Sequence, residues 1–344
     1  MQTTSANALS RSHHHRSTGR LPRWETLAIV AIPFVLATML VSVSFPLATY
    51  TLSLAMFGLA HVLSELRYID LKYGRRIGQH LRWTIGALLV SVVSLRVAQL
   101  MGWMSADVGR PLEVGIVLLL SLSVMPKLMK HGIFAVAVGM SVSGLLIAGL
   151  AMSPIHTLLI LAILHNLTPL AFLADALPSK ERTPVLTVGV LIFIAMPLFI
   201  ATGTPFRWMA QLGVVSPEAS ILPVGPLAAH IGAYIHPAFH DARWALYAFS
   251  GVVFIQCMHY AVVIHILPRL LERDAHAHQG LFRWPDERRF TMLMVVASVL
   301  LFGLFVWSFG TARSVYGIAA AVHAWVEIPI LMLALFAGLS AARQ

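Results

Sequence analysis

The chain alternates runs of about twenty apolar residues, each long enough to cross a bilayer core of about 30 Å as a helix, with short clusters of Lys and Arg. No water-soluble fold hides that many apolar runs, because a chain of this size leaves about a quarter of its extended surface exposed. Of its 344 residues 58% are hydrophobic and 11% are charged, where a soluble domain carries about 25% charged; the mean hydropathy is +0.81. The pattern predicts an all-α, polytopic integral membrane bundle of an inner or plasma-membrane type.

Ten candidate spans can be marked: Leu27–Ser44, Leu47–Ile69, Trp83–Met104, Leu112–Met125, Ile133–Ala151, Ile155–Asp175, Pro184–Thr202, Arg243–Leu267, Phe290–Phe309 and Val315–Gly338. The fourth, between Pro111 and Pro126, is short enough to be re-entrant. With both termini in the cytoplasm, 19 of the 24 Lys and Arg fall on the inner side, the bias expected of cytoplasmic loops. The exceptions are Arg96, Arg110, Arg207, Arg243 and Arg313. Residues 1–25 read as a basic cytoplasmic tail containing His13, His14 and His15, and residues 26–344 as one transmembrane domain. The formal charge of +10 is thereby explained by topology, and a nucleic-acid partner is not expected. The single cysteine, Cys257, excludes an internal disulfide and any CxxC motif. No phosphate-binding, dinucleotide-binding or nucleophile-elbow motif stands in a suitable context.

Ionisable residues inside spans are costly, and are functional candidates by default. Here they are chiefly histidines: His61, His165, His259 and His323, with His265 at a helix end. His61 has Glu65 four residues on, and His323 has Glu327. Residues at i and i+4 share a helix face, and a carboxylate beside a ligating imidazole fixes its tautomer. All four histidines fall on even-numbered spans running inward. At 1.5 Å per residue, His61, His165 and His259 lie roughly 12–15 Å from their inner helix ends and His323 roughly 22 Å. Three imidazoles at matched depth predict a shared metal or cofactor site, with His323 fitting less well. Without a thiolate cluster, an all-nitrogen, iron-type site is expected.

The stretch Gly58-Leu59-Ala60-His61-Val62-Leu63-Ser64-Glu65 resembles the Gly-x-x-His-x-x-x-acid motif of the Brp/Blh family, polytopic bacterial β-carotene 15,15'-dioxygenases. Phe254–His259 through His265 to Arg269 is similar to that family's helix carrying a histidine pair. The resemblance implies His61 and His259 as ligands of a non-haem iron(II), oxygen activation, and an apolar lipid or carotenoid substrate entering from the bilayer. His165 and His323 join the set from depth alone. Glu65 and Glu327 are the acids expected at the catalytic site, as orienters of histidines rather than bases. The family spaces its later histidines by three, whereas five residues separate His259 from His265. Six positions advance a helix by about 600°, so His265 points elsewhere and is not carried over.

Three other readings remain open. A haem-binding electron carrier would use two of these histidines as axial ligands. A proton-coupled transporter would use Glu65, Glu327 and the histidines as a relay, with helices broken near Pro169, Pro197 and Pro329. A structural membrane subunit would make the His–Glu pairs incidental. Pro169, following His165-Asn166-Leu167-Thr168, is expected to free a carbonyl and kink the sixth span. The external segment from Gly203 to Asp241 contains an amphipathic stretch, Leu227–Ile235, and His230, His236 and His240, a weaker candidate for a zinc-type site. Asp274–His278 reads as a solvated loop. Arg96, inside the third span, is expected to snorkel or to meet a buried acid or an anionic substrate.

Overall fold

A computed structural model describes residues 24–74, 76–232, 243–273 and 280–341, and every regular element among them is helical. In chain order these are α1 Trp24–Ser44, α2 Pro46–Tyr73, α3 Gln79–Leu100, α4 Ala106–Ser123, α5 Ile133–Met152, α6 Pro154–His165 and α7 Thr168–Ala176. They continue with α8 Ser179–Ala201, α9 Thr204–Gln211, α10 Leu227–Ile231, α11 Arg243–His265, α12 Leu267–Arg273, α13 Glu287–Trp307 and α14 Phe309–Ala341. Short helical turns carry α4 on to His131. Eight helices are long and apolar enough to cross a membrane, nine if α6 and α7 form one bent span, while the apolar part of α1, Ala31–Ser44, is shorter. The protein is a helical membrane bundle.

Starts and breaks follow local chemistry. Proline opens α2 and α6, where its missing N–H would find no partner in any case. Asp286 caps α13, its side chain accepting from the Arg289 N–H at 3.0 Å. The predicted kink in the sixth span is a 41° bend between α6 and α7. Pro169 cannot donate to the His165 carbonyl, and the Thr168 hydroxyl donates to it instead at 2.8 Å. The Asn166 amide donates to the carbonyls of Ala162 and Ile163 at 3.0 and 3.2 Å. Within α8, Leu191–Ala195 widens into a π-turn in which the Met196 N–H reaches the Leu191 carbonyl. Pro197, next in line, cannot continue the ordinary ladder. Gly251 on α11 lets that segment approach closely: a Cβ there would lie 2.9 Å from the Pro197 carbonyl oxygen.

The burial of the spans separates core from rim. In the most apolar windows of the spans containing α2, α11 and α14, 61%, 67% and 56% of residues are buried, against 17–39% in the other long spans. These three pack on one another or through α2, with α13, α3 and α4 around α14 and α2, and α1 and α8 against α11. The rim exposes large apolar side chains such as Ile133, Leu145, Met152, Val299 and Leu300, a surface stable only in lipid. Trp83, Trp103 and Trp307 are exposed near helix ends, as aromatic side chains at the two interfaces are.

Two expected boundaries are corrected. The fourth span is not short: α4 begins at Ala106 and passes through Pro111, its sixth residue, where the proline forgoes a bond to the Asp107 carbonyl without ending the helix. The last helix begins at Phe309, not Val315, taking in Arg313, which faces a cavity rather than lipid. The tail with His13–His15, and His236, His240, Asp241 and Asp274–His278, lie outside the described residues. Of the external candidate site, His230 is described: its Nε2 is 2.9 Å from the Val224 carbonyl and its ring lies between those of Tyr50 and Phe309.

Candidate metal centre

The three core helices each deliver one histidine to a common point, and the bent helix pair delivers a fourth. His61 comes from α2, His259 from α11, His323 from α14 and His165 from the end of α6. One nitrogen of each lies within 4.8 Å of the others. His323 Nε2 stands 3.2 Å from His61 Nε2 and 2.9 Å from His165 Nε2. His61, His259 and His323 are buried, and His165 is nearly so. The depth arithmetic left His323 as the outlier; it is in the middle.

The far side of each ring determines what these nitrogens present to one another. His61 Nδ1 meets the Phe57 carbonyl at 3.3 Å, and His323 Nδ1 the Ala319 carbonyl at 3.4 Å. His165 Nδ1 meets Glu327 Oε2 at 2.7 Å. Carbonyls and carboxylates only accept, so these partners assign the proton to Nδ1 in all three rings. Three Nε2 lone pairs then face one another with no proton between them. Such a cluster is repulsive unless a cation sits among the lone pairs.

Two carboxylates sharpen the point. Glu65 and Glu327 are both buried, and their ion-pair partners among the described residues are histidines. Glu65 Oε2 is 3.4 Å from His259 Nε2 and 3.9 Å from His323 Nε2. Its carboxyl also lies against that of Glu327, a contact that, between two carboxylates, joins acceptor to acceptor and gives neither Glu65 oxygen a donor. Both His259 nitrogens and Glu327 Oε1 are likewise buried and unbonded. Buried polar atoms are almost always satisfied, and five of the nine unbonded ones among the described residues crowd round this one point. Glu65, His165 and Glu327 form an overlapping group whose ligand atoms also lie within 4.8 Å of one another.

This donor set fits a divalent transition metal. Two imidazole nitrogens about 2.1 Å from one ion stand about 3.0 Å apart at a right angle and about 3.4 Å at the tetrahedral angle; the observed 2.9 and 3.2 Å match adjacent ligands of one ion. Four imidazoles and two carboxylates without a thiolate suit iron, zinc or copper, and two positive charges would balance the two buried carboxylates.

The expected partnerships of the acids are corrected. Glu65 does not bond His61, nor Glu327 His323, although each pair shares a helix face. Side chains on a helix lean toward its N-terminus, so both rings turn back and meet the carbonyl four residues earlier. Glu327 instead orients His165 on another helix, and Glu65 faces His259. His265 belongs to neither donor group.

Several contributors were not singled out from sequence. Tyr260 stacks on His61, with ring centroids 4.1 Å apart and planes at 25°. Being adjacent in sequence to His259, it sits about 100° round the helix from it, which hides the relation from any same-face argument. Glu113 accepts from Arg96 Nε and Nη2 at 2.8 and 2.7 Å and from Trp325 Nε1 at 2.8 Å. Of the alternatives open for Arg96, the structure shows the buried acid, and it braces α3 and α4 against α14 two residues from His323. A cavity of about 300 Å³ opens onto the cluster, lined by His61, His165 and His323 at one end and by Tyr50, Arg96 and Arg313 elsewhere.

No protein-family model, curated protein or solved structure matches this chain.

Proposed function

We propose that this protein is a membrane-embedded oxidoreductase of the oxygenase type, holding one non-haem iron(II) through His61, His165, His259 and His323 and acting on a lipid or isoprenoid substrate, carotenoids included. The observation that carries the reading is the meeting of three Nε2 lone pairs in a buried pocket that also holds two carboxylates. Bound iron would supply a place for molecular oxygen to react beside the substrate. The chain's own residues prepare that place. Glu327 holds the His165 ring through its Nδ1–H, and the Phe57 and Ala319 carbonyls hold His61 and His323. Tyr260 fixes the His61 plane by stacking. Buried on core helices, the cluster is kept from bulk water, while the cavity gives a substrate access to it.

The relation to the Brp/Blh family belongs to the same proposal, supported by the position of His61 and Glu65, the residues of the shared motif, at the cluster. So does the topology: ten spans, with α1 crossing, both termini cytoplasmic, in an inner or plasma membrane. Supporting non-haem over haem ligation is the mutual approach of the histidine nitrogens, which leaves no room for a porphyrin between any axial pair. The transporter reading draws on the bent α6–α7 pair and the π-turn in α8, next to buried acids.

The test is metal analysis with an absorption spectrum on detergent-purified, folded protein, alongside His61→Ala and His259→Ala. Near-stoichiometric iron without a Soret band, lost in both variants, is expected. A Soret band would move the protein to the haem carriers, and absence of any metal would leave the transporter reading in front.

A further inference from the structure

Arg96 joins the cavity wall from α3. Its Nε and Nη2 are committed to the buried Glu113 at 2.8 and 2.7 Å, and Trp325 Nε1 holds the same carboxylate at 2.8 Å. Among the described residues Arg96 has no partner besides Glu113, so both N–H groups of Nη1 are left over. Nη1 stands beside Gly317, which lines the cavity too. A Cβ on Gly317 would meet Nη1 alone, at 3.7 Å, so the missing side chain leaves the space next to these donors open. From Gly317 to His323 is six residues along α14, about 9 Å. The wall that joins the two is apolar along α14, at Ala320 and Ala321, and along α6, at Leu158 and Ala162. The cavity therefore offers two hydrogen-bond donors at one place, the histidine cluster at another, and hydrocarbon between them.

We propose that the ligand of this cavity is a single-chain apolar molecule with one uncharged carbonyl oxygen, which accepts from Arg96 Nη1 while its chain reaches the histidine cluster. Charge decides the class of head group. Arg96 and Glu113 form a closed ion pair without net charge, and a carboxylate beside it would bring an unbalanced charge into a low-dielectric interior. A hydrocarbon would leave the Nη1 donors unpaired. A hydroxyl would bring a proton in need of an acceptor, and the Glu113 oxygens are already taken by Arg96 and Trp325. A ketone or aldehyde oxygen accepts two hydrogen bonds and donates none. The volume, about 300 Å³, is at the small end of ligand sites, which favours one chain over a two-chain phospholipid. The proposal deepens the functional reading and rests on the cluster being the reacting centre. Arg96 then sets which part of the chain, at a fixed distance from the carbonyl, lies against the histidines.

Saturable binding of radiolabelled geranylacetone to detergent-purified protein tests this, in the metal-loaded and metal-stripped forms. The comparison ligands are the hydrocarbon with a methylene in place of the carbonyl and the carboxylic acid of equal chain length. Two variants, checked for monodispersity, remove the contact in different ways. Gly317→Val fills the space beside Nη1 and leaves the ion pair alone; Arg96→Met combined with Glu113→Gln removes both charges, so that no unpaired charge stays buried. The expected result is ketone bound about tenfold more tightly than hydrocarbon, the difference made by a hydrogen bond to a charged donor, and no less tightly than the acid. Both variants are expected to bring ketone and hydrocarbon to about equal affinity. No saturable ketone binding, equal binding of ketone and hydrocarbon by the unaltered protein, tighter binding of the acid, or an undiminished preference in either variant would overturn the proposal. A ketone preference that depends on Arg96 in protein that takes up no iron would uphold this ligand and sink the metal reading; iron uptake with no preference for the ketone would do the reverse.

Discussion

Replacing Glu327 with Gln changes one oxygen and one charge at a buried contact, and its effect on metal affinity can be worked out from the geometry. Glu327 Oε2 accepts from His165 Nδ1–H at 2.7 Å, the length of a charge-assisted bond. Such bonds contribute about 1.5–3 kcal/mol and neutral ones about 0.5–1.5. The Gln oxygen still accepts, so the loss is the difference, about 1–1.5 kcal/mol, or about tenfold in affinity. Glu327→Ala removes the acceptor altogether and is expected to cost up to about a hundredfold, as for other carboxylates that orient ligating histidines. Competition of iron(II) between the purified variants and a chromophoric chelator reads both ratios. Glu327→Gln binding iron as tightly as the unaltered protein would refute the orienting role. A loss beyond about a thousandfold in Glu327→Gln would mean that Glu327 is itself a ligand, through the overlapping group with Glu65 and His165.

The other predictions concern the scaffold. Thr168→Val leaves the His165 carbonyl without the hydroxyl that meets it at the bend; a loss of about 1–3 kcal/mol of stability is expected in detergent unfolding, together with weaker metal binding, and unchanged behaviour in both would remove the hydroxyl from the account of the kink. Gly251→Ala sets a methyl 2.9 Å from the Pro197 carbonyl oxygen, and a backbone neighbour cannot swing aside; destabilisation of about 1–3 kcal/mol is expected, and a neutral substitution would show that α8 and α11 do not meet this closely. His230, outside the spans, is buried with Nε2 against the Val224 carbonyl, and burial holds its imidazole below the ordinary histidine range. A base depressed on folding binds fewer protons folded than unfolded. It therefore contributes stability above the unfolded value of about 6.5, and that contribution is lost as pH falls below it. The gap in melting temperature between the unaltered protein and His230→Gln is expected to narrow from pH 8 to pH 5.5; a gap that widens would reverse the sign.

Much of this arrangement is legible in the amino-acid order, and the places where it is not have physical causes. The helices are written in the apolar runs, and the bend at Pro169 in the proline itself, because a missing donor four residues after His165 has a single local consequence. Which residues the buried helices bring together is a question of packing, and depth along each helix answered it for His61, His165 and His259. His323 joins the set at about 22 Å from its inner helix end by the same arithmetic, and its true height escaped: distance along a helix does not fix the height at which it packs, and packing sets His323 between His61 and His165. The start of that helix is also earlier than its hydropathy indicates, because Arg313, which faces a cavity rather than lipid, does not end it. The acids escaped differently. Sharing a face fixes where Glu65 and Glu327 start, not which way the rings beside them turn, and those rings turn back to their own carbonyls. That Glu327 serves His165, more than 160 residues away, depends on the neighbour relation of α14 and the α6–α7 bend, which no single-helix pattern contains. Tyr260 and Glu113 are of the same kind, contributing through contacts between helices.

The central claim, that four histidines from four helices meet on one metal ion, is tested most directly by X-ray absorption at the iron edge of the loaded, detergent-purified protein. The account predicts a first shell of nitrogen and oxygen without sulfur and outer-shell scattering from three to four imidazoles, falling by one in each of the His61, His165, His259 and His323 alanine variants that still retains iron. A spectrum without imidazole scattering, or one with sulfur from Cys257 in the first shell, would contradict it.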